Sequence, residues 1–377
     1  KSFKDLKKLP IINKNVINKH KYKFISLEFN KKKLFNRTTG GSTGHPLTIW
    51  YDKNFLIKDK ANTLYYLKIF NLDFLNFKNI RLYGDKILNK KNYFWKKINN
   101  NKILMSAYDI NEKSVDIYVN KINKFKPIYI HTRSSIIYLL AKFIKKKNLT
   151  INCKIKYIFV DGEYLMDGQR QLIEEIFKCR IINIYGHTEG VVVGHPCKHS
   201  NLMHFMPQNG WIEYMDKNNK SISKKSKSAK MIVTGFNNYV MPLIRYDTGD
   251  YFLTSKPQKK CKCFMGYDYV KEVEGRIQDF VFDKNKNSIP LAPAIFNYND
   301  MDWKNFGEFR VVQKKLGELI FEIISKKNEE LDDFLKKKIK NILGNKFKIK
   351  ISFVDHIPRS KIGKFRYLKQ FLDFKNP

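Results

Sequence analysis

The chain has 377 residues, more than a single hydrophobic core usually spans, so two or more domains are expected. Apolar and aromatic residues make up 43% of it, which excludes a disordered chain; no apolar run reaches the roughly 20 residues of a transmembrane helix or resembles a signal peptide, so a cytoplasmic protein without a membrane span is expected. Lys and Arg number 73 against 35 Asp and Glu, a formal charge of +38, but the excess is spread as Lys beside Asn and Ile, as in Lys96-Lys97-Ile98-Asn99-Asn100-Asn101-Lys102. A dispersed excess reads as compositional bias, and nucleic acid is not the expected partner.

Five cysteines, an odd number, fit a reducing compartment better than a disulfide framework. The chain opens on Lys1, and a short preceding N-terminal piece is expected.

In chain order, the first strong signal is Thr38-Thr39-Gly40-Gly41-Ser42-Thr43-Gly44-His45-Pro46, followed by a strand-like run over 47–51. Helices are expected over 54–70, 113–124, 134–147 and 167–177, and strands over 80–83, 128–131, 157–161, 181–185 and 231–235. This alternation predicts an α/β fold with a largely parallel sheet up to about residue 275. The polar, Lys- and Ser-rich stretch 217–230 reads as an exposed loop or hairpin tip.

After Glu274-Gly275-Arg276 the pattern becomes strands over 308–312 and 319–324, a helix over 328–343 and a strand over 348–354. The expected organisation is a large N-terminal domain of layered sheets and helices, residues 1–278, joined by a hinge to a small α+β domain, residues 279–377.

Glycines let successive backbone N–H groups turn toward one anion, and hydroxyls add donors, so the composition of 38–46 suits a polyphosphate cradle. A plain Gly-rich turn has the same composition, and no Gly-Lys-Ser/Thr ending makes it a P-loop. Cys197, His204, Cys261 and Cys263, with His199 as a competing ligand, form a soft donor set suited to a closed structural Zn²⁺ site. Cys153 and Cys179 lie on apolar stretches and read as core thiols. His131 ends a strand-like run, where a polar-network histidine is as good a reading as a ligand-facing one.

Thr39-Gly40-Gly41-Ser42-Thr43-Gly44-His45-Pro46 resembles the phosphate loop of the adenylate-forming superfamily, and four further motifs follow in that superfamily's order. These are Tyr185-Gly186-His187-Thr188-Glu189, Arg245-Tyr246-Asp247-Thr248-Gly249-Asp250, Glu274-Gly275-Arg276-Ile277-Gln278-Asp279 and Pro358-Arg359-Ser360-Lys361-Ile362-Gly363-Lys364. The early Leu-Lys-Lys-Leu-Pro, the compact length, Asp161-Gly162-Glu163 and the Cys-x-Cys at 261–263 resemble the branch of phenylacetate-coenzyme A ligase and CapK-type capsule-biosynthesis proteins. The chain departs from that pattern where relatives carry a loop lysine, with His45 before and Leu47 after the loop's Pro46.

The resemblance implies ATP-dependent conversion of a carboxylic acid to an acyl-AMP, with transfer to coenzyme A, a carrier protein or an amino-sugar acceptor. It implies that Thr39, Gly40, Gly41, Ser42, Thr43 and Gly44 hold phosphates, that Gly162, Glu163, Tyr185, Gly186, Asp250 and Arg276 line the nucleotide, and that Thr188 touches the α-phosphate. Glu189 would hold Mg²⁺, Asp279 would be the hinge, and Lys364 would offset charge in the transition state. The rival readings are a catalytically degenerate scaffold of the same fold, motivated by the missing loop lysine, and a basic nucleic-acid-binding protein.

Overall fold

The computed structural model describes residues 3–39, 47–73, 76–83, 94–165, 167–200, 202–222, 227–254, 261, 263, 265–276, 280–291, 309–325, 329–358 and 365–372. The chain divides into two compact units, one of residues 1–76 and 183–276, the other of residues 77–182 and 277–377.

The first unit is built on an antiparallel sheet. From one edge its strands run Gly210–Met215, Ser228–Gly235, Tyr246–Thr254, Asp268–Arg276, Met203–Phe205, Val193–Pro196 and the end of Arg180–Gly186. The expectation of a largely parallel sheet up to residue 275 is therefore corrected for this part of the chain. Tyr246–Thr254 alternates buried and half-exposed positions, as antiparallel strands with one wet face do, but its buried positions include Thr248, Asp250 and Thr254. Polar residues on the inner face hide the two-residue hydrophobic period.

The stretch read as a hairpin tip joins Gly210–Met215 to Ser228–Gly235, with Asp216 Oδ1 accepting from Asn218 N and Lys220 N at 2.8 and 2.9 Å. A separate hairpin pairs Phe35–Thr38 with Thr48–Tyr51, and the helix Lys53–Ile69 follows, N-capped by Asp52, whose Oδ1 accepts from Phe55 N at 2.9 Å.

The second unit holds the parallel sheet that the sequence predicts. Tyr157–Asp161, Tyr129–Thr132, Asn79–Tyr83 and Lys102–Ser106 lie side by side in parallel, and Trp95–Asn99 closes the edge antiparallel to Lys102–Ser106. The helices Val115–Phe125, Ser134–Lys146 and Asp167–Phe177 contribute Val115, Tyr118, Ile137, Leu140, Ile144 and Ile173 to one core with Ile80, Leu82, Ile130 and Ile158. The last two strands of this sheet come from the Lys- and Asn-rich run that reads as bias in the sequence.

Residues 277–377 form a four-stranded sheet in the order Lys348–Val354, Glu318–Ile324, Phe309–Gln313, Leu368–Gln370, with the helix Glu329–Leu343 packed through Leu335, Ile339 and Leu343. The β-β-α-β run stands as expected, and Leu368–Gln370 adds a fourth strand beside Phe309–Gln313. Tyr164 packs against this core, and Gln169 Nε2 donates to Tyr367 Oη at 2.6 Å. Among the described residues no helix is long and apolar enough to cross a membrane.

Ile137 is fully buried between sheet and helices, so Ile137→Ala is expected to destabilise the protein by about 2–5 kcal/mol, read as a lower denaturant midpoint.

Candidate functional site

The hairpin Phe35–Thr38/Thr48–Tyr51 frames the Gly- and Thr-rich loop. Its neck is closed by Thr39: its N–H donates to Leu47 O at 2.8 Å, and its Oγ1 accepts from Leu47 N at 2.9 Å. Thr39 is buried, as is Leu47, so the neck is fixed by side-chain burial as well as by hydrogen bonds. Gly40, Gly41, Ser42, Thr43, Gly44, His45 and Pro46 lie outside the described residues, as do Asp279 and Lys364 and the side chain of Arg276.

Tyr185, Gly186, Thr188 and Glu189 follow from the strand Arg180–Gly186 in the same unit. Tyr185 Oη donates to Asp250 Oδ2 at 2.6 Å, and its ring meets Phe252 edge-on at 5.1 Å between centroids. Asp250 N donates to Thr248 Oγ1 at 3.1 Å, which fixes the carboxylate's position on its strand. The two motifs expected to face a nucleoside thus meet through a phenol and a buried carboxylate. Gly190 ends the turn at φ +69°; a Cβ there would stand 2.6 Å from the Phe55 ring, so only glycine fits.

Glu189 has 2% of its surface exposed and is surrounded by polar and basic side chains. Tyr246 Oη donates to Oε1 at 2.7 Å, Lys14 Nζ lies 3.3 Å from the same oxygen, and His187 Nδ1 lies 3.2 Å from Oε2. Burial opposes ionisation, but the His187 ring, the Lys14 ammonium and the Tyr246 hydroxyl together outweigh it and hold the carboxyl well below the usual carboxylate range.

The N-terminal segment reaches Glu189 because Arg245 ties it down. Arg245 stands at φ +49°, and its guanidinium makes a two-point pair with buried Glu213, Nε to Oε2 at 3.1 Å and Nη2 to Oε1 at 3.2 Å. Its Nη1 donates to the carbonyls of Lys7 at 3.1 Å and Leu9 at 2.5 Å, and Ile12 pairs with Tyr246 through Ile12 N to Arg245 O and Asp247 N to Ile12 O. Lys14, Arg245 and the Tyr246 hydroxyl are site residues that sequence reasoning passes over. A lysine in so Lys-rich a chain carries no signal, whereas Arg245 stands at the start of a recognised motif.

In the second unit Glu163 bridges two segments. Its Oε2 accepts from Ser135 N at 3.0 Å and Ser134 Oγ at 3.3 Å, and its Oε1 accepts from Phe365 N at 3.2 Å. Gly162 precedes it at φ +68°, with Arg133 Nη1 3.4 Å from where a Cβ would stand. His131 Nε2 and Tyr83 Oη both meet Asp161 Oδ2, at 3.0 and 2.9 Å. Burial again opposes ionisation of Asp161, and the His131 ring, then Tyr83 and Arg133, lower it below its ordinary value.

Cys197, His204, Cys261 and Cys263 place their ligand atoms all within 4.8 Å of one another in the first unit. Cys197 Sγ lies 3.5 Å from Cys261 Sγ, and Cys263 Sγ lies 3.4 Å from His204 Nε2. Zn–S bonds of about 2.3 Å in a tetrahedron would set sulfurs about 3.8 Å apart, so the donor set fits that ion. His199, the competing ligand, instead donates its backbone N–H to Cys197 Sγ at 3.3 Å. Cys153 and Cys179 pack against the second unit's core, and burial pushes the Cys179 thiol up to about 12.

Residues 286–370 match the family model described as the CapK C-terminal domain. The chain is 28% identical to Protein CapK of Staphylococcus aureus over 96% of its own length and 80% of CapK. It is 22% identical to the phenylacetate-coenzyme A ligase of Thermus thermophilus over 70% of its length and 64% of that enzyme. Among solved structures, 2-hydroxyisobutyryl-CoA ligase in the postadenylation state with 2-HIB-AMP matches at a TM-score of 0.73 and 16% identity, over 98% of this chain and 82% of that one. The anthranilate CoA ligase AuaEII with anthranoyl-AMP matches at 0.57 and 13%, over 87% and 65%. The architecture is that of the adenylate-forming CoA ligases. Within that class the chain is homologous to CapK and more distantly similar to phenylacetate-coenzyme A ligase.

A carboxyl with a depressed folded pKa adds stability that is present above its unfolded value and lost as pH falls through the folded one. Asp161 is such a group, so the acid limb of a stability profile below about pH 4 is expected to be shallower in Asp161→Asn than in the parent, measured by urea unfolding across pH.

Proposed function

We propose that this protein activates a carboxylic acid by adenylation and passes the acyl group to a thiol, with coenzyme A as the favoured acceptor. The observation that carries the reading is the meeting of Tyr185 with the buried Asp250 carboxylate, in the unit that also holds the hairpin whose neck Thr39 closes. An ionised carboxylate can accept from both hydroxyls of a ribose, and the phenol ring beside it has a flat face suited to a base.

In the first half-reaction a carboxylate oxygen of the acid attacks the α-phosphorus of ATP, the bond to the β-phosphate breaks, and pyrophosphate leaves. In the second, the acceptor sulfur attacks the acyl carbon, AMP leaves with the carboxylate oxygen, and the thiol proton is lost. Neither half needs a protein nucleophile, so catalysis rests on placement and charge. In this reading Ser42, Thr43 and the glycines 40, 41 and 44 supply donors to the departing phosphates, and Thr188 donates to the α-phosphate. Arg276 binds the nucleotide, Lys364 offsets developing charge, and Asp279 is the hinge.

Supporting the reading are the CapK and phenylacetate-coenzyme A ligase relatives, and structural neighbours whose names include acyl-AMP compounds and CoA. CapK kinship also motivates transfer to a carrier protein or an amino sugar in surface-polysaccharide assembly, so the test must include acceptors of each kind. ATP–pyrophosphate exchange over a panel of acids is expected to rise for at least one acid, with the acyl-AMP detected by mass. Exchange with none would favour the degenerate scaffold. Lys364→Ala is expected to lose acyl-AMP formation by at least 100-fold, about 2.7 kcal/mol, while retaining ATP binding; unchanged pyrophosphate release would remove the role of Lys364.

The three thiols and one imidazole of Cys197, Cys261, Cys263 and His204 are proposed to hold a structural Zn²⁺ that ties the strand end at Cys197 to the segment at 261–263. One zinc per chain is expected in protein purified without chelator, falling in Cys263→Ser together with thermal stability. Protein without stoichiometric zinc would reject the site.

A further inference from the structure

The family resemblance gives Glu189 to magnesium, but its immediate surroundings do not fit a directly bound ion. Oε1 is already engaged by the Tyr246 hydroxyl and the Lys14 ammonium, and the His187 ring stands 3.2 Å from Oε2 without hydrogen-bond geometry. Magnesium takes oxygen ligands at about 2.0–2.1 Å in a near-octahedral shell, and an ammonium, a ring nitrogen and a donated hydroxyl proton offer none of that shell. A divalent ion on Oε1 would also stand beside the Lys14 charge. Among the described residues, the only cluster of three or more metal-ligating side chains is the thiol and imidazole set at Cys197, which is too soft for magnesium.

Lys14 is not a stray surface lysine. Asn13 caps its helix by accepting from Asn15 N at 3.0 Å and Val16 N at 3.1 Å, which fixes Lys14 as the first residue of Lys14–Lys19. Ile17, one turn on and on the same side, is fully buried with Leu47 and Ile49 from the hairpin that frames the loop. Upstream, Ile12 is bridged to Tyr246, and Arg245 holds the Lys7 and Leu9 carbonyls. The segment is therefore anchored on both sides of Lys14, and the Lys14 side chain keeps only 16% of its surface exposed.

From this we infer that Lys14 is the resident counter-cation of Glu189: a positioning residue that occupies the place the resemblance gives to a metal, so that this carboxylate orders the Tyr185–Gly190 turn without ligating a divalent ion. The chain lacks a loop lysine at positions 45 and 47, and Lys14 brings an ammonium to this site from a different segment. The meaning of Glu189 rests on the proposed adenylation reading, but the test does not, because it uses neither nucleotide nor acid.

Mn²⁺ serves as the probe, titrated by electron paramagnetic resonance into the nucleotide-free, zinc-replete full chain. The parent protein is expected to show no Mn²⁺ site that disappears in Glu189→Gln. Lys14→Met is expected to gain one site per chain, at least tenfold tighter than any in the parent and abolished in Lys14→Met/Glu189→Gln, while Lys14→Arg gains none. A Glu189-dependent site in the parent overturns the inference, and this comparison needs no Lys14 variant to fold. A folded Lys14→Met protein, checked by circular dichroism, that gains no site also overturns it. Absence of exchange activity with every acid would sink the adenylation reading while leaving the cation result standing.

Discussion

Glu189 is a carboxylate removed almost wholly from water, and a charge so placed persists only where neighbours neutralise it and satisfy its lone pairs. Three parts of the first unit are organised to do so. The turn after the strand Arg180–Gly186 brings His187, the strand Tyr246–Thr254 brings the Tyr246 hydroxyl, and the N-terminal helix brings Lys14. Removing one partner would leave the others facing an uncompensated charge, so the motif around Thr188 and the segment at 7–17 are coupled through one carboxylate.

A second buried ion pair sets the first. Arg245 spends its guanidinium on both oxygens of Glu213 and on two main-chain carbonyls, which uses the planar fork of donors as a lysine could not. The carbonyls of Lys7 and Leu9 are thereby satisfied away from the sheet, and the next residues are delivered in register beside Tyr246. The motif Arg245-Tyr246-Asp247-Thr248-Gly249-Asp250 thus acts in two directions. Tyr246 and Arg245 organise the N-terminal segment and Glu189, while Asp250, whose N–H donates to Thr248 Oγ1, accepts from Tyr185.

Much of the fold is legible where the side-chain period is clean. The helix Ser134–Lys146 and the parallel strands Tyr129–Thr132 and Tyr157–Asp161 fall within a residue or two of expectation, because most of their buried positions are Ile, Leu, Val and aromatic residues. Legibility fails where composition masks the period. Trp95–Asn99 carries Lys and Asn at successive positions and is mostly exposed, as an edge strand is, so its sequence looks like bias. Met203–Phe205 and Val193–Pro196 are too short to show a period; they pair with each other, and Met203–Phe205 is held on its other side by Asp268–Arg276, distant in sequence. In the candidate site, Tyr185, Glu189 and Asp250 are readable through their motifs. Lys14 is not, since nothing in its own sequence separates it from the chain's other lysines and contacts with distant residues, the Arg245 anchor among them, give it a place.

The same distinction applies to Glu163. The resemblance puts it among nucleotide-binding residues, whereas its contacts here are with the N-terminus of the helix Ser134–Lys146 and with the backbone of Phe365, the chain neighbour of Lys364. A carboxylate at a helix N-terminus is favoured by the unpaired N–H groups there, and this one has an oxygen left over for a second segment. Phe365 is buried and Tyr367 accepts from Gln169, so the segment just after the motif of 358–364 has two polar anchors and an apolar one within its own unit. Glu163 therefore acts as a positioning residue that fixes where the described chain resumes at Phe365, a role that needs no contact with nucleotide.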